Sequence, residues 1–170
     1  YGYSGDKQQW ANSAFKKDGS LDKANINRLE KILTRADELR MVVILGYFYF
    51  GQDQNLENET AVKKAVINAT RWILDKGFKN VLIEINNECD INDLAGKYKI
   101  DPYDHPILDS KRVQELILQP KGIKKGKDSL LVSTSFKGGT PANESVLRIA
   151  DFVLIHGNGV EKPELLTQLI

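Results

Sequence analysis

Four short apolar runs punctuate the chain: Met41 to Leu45, Val81 to Ile85, Leu130 to Ser133 and Phe152 to Ile155. Together they are rich in β-branched residues, and their apolar positions follow one another without alternation. Continuous runs of this length predict strands covered on both faces, the pattern of a parallel sheet. Between the runs the spacing changes. Ile26, Leu29, Ile32, Leu33, Ala36 and Leu39 recur at helical intervals, as do Val62, Ala65, Val66, Ala69, Trp72 and Ile73, so one face of each predicted helix can cover the sheet. Gly77 follows the second series as its expected C-terminal cap. Shorter helices are predicted at about 110–118, with Ser110 as N-cap, at 142–150, and after Pro163.

Strand and helix thus alternate along the whole chain, and no break in composition divides residues 1–170 into separate domains. The fold class expected is α/β, in one domain. Turns from helix to strand are short, whereas Gly51 to Glu59 and Cys89 to Asp109 are long and polar. Function in such folds gathers outside the carboxyl ends of the strands, which makes these loops the expected working face. A doubly wound open sheet would carry a glycine-rich phosphate loop after its first strand. None is present, and Gly157-Asn158-Gly159 is too short to serve. The other architecture is a (β/α)8 barrel, which takes about 250 residues. The chain therefore reads as parallel (β/α) units of a TIM barrel, incomplete as given.

Composition narrows the function classes. Hydrophobic residues make up 41% and charged residues 28% of the chain, enough apolar content for one sizeable core and unlike a disordered or fibrous protein. A formal charge of +1, with scattered lysines, gives no footprint for nucleic acid. No apolar stretch is long enough to span a bilayer, so no membrane partner is expected. Cys89 is the single cysteine, which excludes an internal disulfide. The chain opens at Tyr1 without a leader pattern; a trimmed or partial polypeptide is expected, with a secreted or periplasmic location left open.

The second strand run ends in Glu84-Ile85-Asn86-Asn87-Glu88-Cys89-Asp90. Alternation puts Leu82, Glu84, Asn86 and Glu88 on one side of the sheet. A carboxylate inside a buried strand is costly without partners, so Glu84 needs a hydrogen-bonding reason to be there, a base on a neighbouring strand being the structural one. Glu88 falls further along, at the mouth, where partial desolvation favours the protonated carboxyl that a general acid needs.

The segment Val81-Leu82-Ile83-Glu84-Ile85-Asn86-Asn87-Glu88 resembles the fourth-strand signature of clan A glycoside hydrolases, in particular the cellulase-like family 5 group. Arg35 to Gly46, followed by Tyr47-Phe48-Tyr49-Phe50-Gly51-Gln52, is similar to the second helix and third strand of that group. The resemblance covers most of the chain, from about Trp10 to Ile170, as the second to the sixth helix of the barrel. It departs at Cys89, where the family most often has proline or a small apolar residue. It implies a retaining hydrolase of β-glycosidic bonds, with Glu88 as general acid/base and Asn87 holding the sugar beside the scissile bond. It also implies a nucleophilic glutamate at the end of a seventh strand, beyond residue 170, so this polypeptide alone is expected to lack double-displacement activity. No cofactor is implied.

Aromatic rings at strand ends suit the C–H face of a sugar, and polar side chains suit its hydroxyls. Trp10, Tyr47 and Tyr49 are the stacking candidates, and Gln52, Asn86, His105, His156 and Asn158 the hydrogen-bonding ones. Asp90, Asp93, Asp101, Asp104 and His105 crowd one loop, but their spacing lacks the glycine and closing glutamate of a calcium loop, so no metal is expected. A rival from another class is a carbohydrate-binding or pseudoenzyme barrel that keeps the aromatic cleft without the chemistry. A doubly wound phosphate-binding domain is a third. An unclosed barrel leaves apolar strand edges near Met41 to Leu45 and Phe152 to Ile155, which predicts either a longer chain or self-association to cover them.

Overall fold

In a computed structural model that describes residues 13–94 and 102–167, helices and strands alternate in the expected order. Helix α1 spans Lys23–Glu38, opened by Asp22, whose carboxylate accepts the Asn25 N–H at 2.9 Å. Strand β1 (Val43–Phe48) follows, then α2 (Glu59–Lys76), capped by the Asn58 side chain and closed by Gly77 at φ 79°, where a side chain would be strained. Strand β2 (Val81–Asn86), α3 (Gln114–Lys121) and β3 (Leu131–Ser133) continue the succession. Two single-turn helices, α4 (Glu144–Leu147) and α5 (Pro163–Leu166), complete it.

Two expectations are corrected. Ser110 does not cap α3, which starts after Val113 with no side-chain cap; the Ser110 N–H instead donates to the Cys89 carbonyl at 2.9 Å. The fourth apolar run contributes a single parallel bridge, Ser135 to Leu154. The cause lies in Asp151, whose carboxylate accepts the Val132 N–H at 2.9 Å while its own N–H donates to the Val132 carbonyl. With both Val132 groups taken by one residue, the ladder has no room to extend there.

The strands form one parallel sheet in the order β1-β2-β3. Ile44, Leu82 and Leu131 share one register level, and Gly46, Glu84 and Ser133 the next. The face bearing Val81, Ile83, Ile85 and Val132 is buried in one core with Val62, Val66 and Ile73 of α2 and Leu116 and Ile117 of α3. Burial of each such side chain stabilises by about 1.5–3 kcal/mol. The opposite face is open at its base, with Ile44 51% and Leu131 49% exposed. Among the described residues, then, the apolar runs are covered on one face, not two. That open face carries Glu84, which bonds to the Ser135 hydroxyl and to no base among the described residues. No described helix is long and apolar enough to cross a membrane.

Candidate active site

Strand β2 ends at Asn86, and the next three N–H groups are all anchored. Asn87 donates to the Phe48 carbonyl (3.1 Å), Glu88 to the Ser135 hydroxyl (2.9 Å) and Cys89 to the Ser135 carbonyl (2.9 Å). Glu88 has φ 50°, the left-handed region. That conformation costs a residue with a Cβ about 1–2 kcal/mol, and the three hydrogen bonds hold it. The turn breaks strand alternation and sends the Glu88 side chain, 6% exposed, toward the segment that follows the Leu154 bridge.

There Glu88 Oε1 meets His156 Nδ1 at 2.9 Å and the Asn158 amide nitrogen at 3.3 Å. The Glu88 hydrogen bond raises the His156 pKa above its ordinary value, against burial, which acts to lower it. Two donors thus converge on one oxygen. The segment bearing them is packed tightly against the chain after β3: a Cβ on Gly138 would lie 2.0 Å from the Asn158 carbonyl oxygen, and the Gly139 N–H donates to the His156 carbonyl at 3.2 Å. Only glycine allows that approach at 138.

A cavity of about 660 Å³ opens beside this turn. Tyr49, Gln52, Asp53, Glu84 and Asn87 line its upper part, and it continues between α1 and the edge of β1 that pairs with no strand among the described residues. Asn87 joins it to Glu88, and the Asn87 carbonyl is fixed by the Tyr103 hydroxyl at 2.6 Å. The upper wall combines the Tyr49 ring with amide and carboxyl groups, and the lower wall is largely apolar.

The structure brings Glu88, His156 and Asn158 together, with Asn87, Tyr49 and Gln52 on the adjoining cavity. Tyr47 also borders that cavity, but it is 8% exposed and its hydroxyl lies 3.1 Å from Thr70 Oγ1 of α2, because alternation along β1 turns it to the helix layer. The remaining candidates lie elsewhere. Asn86 is fully buried, its amide donating to the Leu108 carbonyl while the Thr134 hydroxyl donates to its side chain. It ties loop to sheet. His105 pairs with Asp53, Nδ1 to Oδ2 at 2.9 Å. Trp10 lies outside the described residues, as does Asp101 of the acidic loop.

Asp90 of that loop is paired with Lys137 at 2.7 Å, and no group of three or more His, Cys, Asp or Glu side chains among the described residues is arranged to hold a metal. Cys89 is fully buried, and burial pushes its thiol pKa up, away from the thiolate that a nucleophile requires. Two residues important to the site escaped sequence reasoning. Ser135 and Asp53 are both buried polar residues that follow apolar strand runs, and that position was the available signal. No protein-family model, curated protein or solved structure matches the chain, so a functional reading rests on these residues and their geometry.

Proposed function

We propose that the protein is a retaining glycoside hydrolase, or the part of one that supplies the acid/base, acting on β-glycosidic bonds of a poly- or oligosaccharide. The observation that carries this reading is the environment of Glu88: a nearly buried carboxyl group at the carboxyl end of a parallel strand, with donors from His156 and Asn158 on one oxygen. With Oε1 occupied by those donors, Oε2 is the oxygen that carries the transferable proton.

In the first step a nucleophilic carboxylate attacks the anomeric carbon, the glycosidic C–O bond breaks, and Glu88 gives its proton to the departing oxygen. In the second, Glu88 takes a proton from water as that water displaces the carboxylate. Glu88 is again protonated and the enzyme is regenerated. The nucleophile is expected in chain beyond Ile170, on the seventh strand of a completed (β/α)8 barrel. His156, with its proton on Nδ1, holds the Glu88 carboxyl in one rotamer, and Asn87, the neighbouring residue in the turn, lines the cavity.

The same barrel would account for the bare apolar level of Ile44 and Leu131 and for the edge of β1 that is unpaired among the described residues. We infer that further strands, from the same chain or from another copy, cover both. Size-exclusion chromatography with light scattering of the 170-residue polypeptide is expected to show association, and a monodisperse monomer would overturn this part. For the activity, the test is hydrolysis of β-glucans and β-mannans by the full protein against a Glu88→Gln variant. Loss of about 10²–10⁴-fold is expected; an active variant would assign the chemistry elsewhere, and sugar binding without turnover would favour the non-catalytic barrel.

A further inference from the structure

We propose that Ser135 and Glu84 form a positioning relay for the acid/base, an inference that rests on the role argued above for Glu88. Neither residue reaches the Glu88 carboxyl itself; they act on the backbone that aims it. Ser135 is fully buried just after β3 and grips the Glu88 turn twice, its hydroxyl oxygen accepting the Glu88 N–H at 2.9 Å and its carbonyl accepting the Cys89 N–H at 2.9 Å. A hydroxyl has one proton and rotates freely unless that proton is committed. Here it is committed to Glu84 Oε1 at 2.5 Å.

The short bond to a carboxylate turns the Ser135 lone pairs toward the Glu88 N–H. It also explains why an acid sits in the middle of β2, level with Gly46 and Ser133 on the open face. Glu84 needs no basic partner to be useful: its work is to orient a hydroxyl that in turn holds a residue at φ 50°. Loss of either member frees the turn to relax toward ordinary backbone angles and swings the acid/base off the leaving oxygen. Misplacement of a catalytic group by about 1 Å can cost on the order of 10²-fold.

Leaving-group dependence separates aim from general damage. On the full protein, kcat/KM is measured with two β-glycosides, one with an alkyl or sugar leaving group that requires a proton and one with a 2,4-dinitrophenolate leaving group that does not. Ser135→Ala is expected to lose about 10- to 100-fold on the first and less than about 3-fold on the second. Glu84→Met is expected to behave like Ser135→Ala, and Glu84→Gln, which keeps an acceptor oxygen for the hydroxyl, to show a smaller difference between the two substrates than Glu84→Met does.

Equal losses on the two substrates, or none, would overturn the relay while leaving the role of Glu88 intact, provided Glu88→Gln still discriminates between them. Failure of Glu88→Gln to discriminate, or absence of turnover by the unmodified protein, would overturn that role and the relay with it. Should Ser135→Ala not fold, the Glu84 pair decides alone, because that side chain is only partly buried. Indistinguishable Glu84→Met and Glu84→Gln variants would then reject the relay.

Discussion

Two carboxylate–imidazole pairs stand at the carboxyl end of the sheet, each with 2.9 Å between Nδ1 and oxygen, and they are built for different work. Asp53 is wholly buried, and its Oδ2 accepts three donors: the Asp104 and His105 N–H groups and the His105 ring. Two of the three are backbone, so the pair staples the loop after β1 to the loop after β2. Burial nonetheless wins, raising the Asp53 pKa, and its Oδ1 is buried without a partner. Among the described residues Glu88 has only side-chain donors on its carboxyl, and they come from the segment after the Leu154 bridge. Its imidazole is 27% exposed, against 12% for His105. What distinguishes the pairs is the source of the hydrogen bonds: two of the three on Asp53 come from the backbone of another loop and lock it, whereas those on Glu88 come from side chains.

The sharpest way to break that comparison is to neutralise each acid. Glu88→Gln is expected to cost about 10²–10⁴-fold in turnover with little change in the urea midpoint; a large stability loss without a rate effect would make it a second staple. Asp53→Ala strands buried donors and is expected to lower stability by about 1–3 kcal/mol, read by urea unfolding. Gly138→Ala tests the tight contact under Asn158: the clash is expected to cost about 1–3 kcal/mol and to move the His156 segment away from Glu88, detectable as a fall in the His156 pKa by NMR.

The smallest effect expected is pH-dependent. His156 has a folded pKa above its ordinary 6.5, so the pair contributes fully below about pH 6.5 and the contribution is lost as pH rises through the raised value. Unfolding free energies from urea titrations across that range should decline by less than about 1 kcal/mol, and His156→Gln should abolish the decline. A slope that survives the substitution would locate the titrating group elsewhere.

Much of the frame was legible. Helical spacing placed α1 and α2, Gly77 marked a real left-handed cap, and the unbroken apolar runs located β1 and β2. Those signals are local: side-chain period and backbone freedom act within a few residues. Glu88 was legible too, since an acid just past a buried strand is conspicuous. Its partners were harder to grade. His156 follows an apolar run and His105 lies in a polar loop, and nothing nearby in sequence says that one meets Glu88 and the other Asp53. The fourth run read as a strand because its own residues favour one, yet Asp151 satisfied the Val132 backbone first.

By itself, then, the sequence determined the alternation of helices and strands, the parallel character of the sheet, the end of the molecule where polar loops gather, and the presence there of a carboxyl group just past a strand. Tertiary structure alone decided which side chains meet. Strand alternation states that Tyr47 and Phe48 point to opposite faces but not which face is covered by a helix, and packing against Thr70 settled it for Tyr47. The same holds for Asn86, drawn inward by Leu108 and Thr134, and for Ser135, whose hydroxyl grip on the Glu88 N–H crosses 47 residues of sequence. Such contacts arise only once separate strands are brought into register, because a hydrogen bond depends on distance in space and carries no trace in local residue preference.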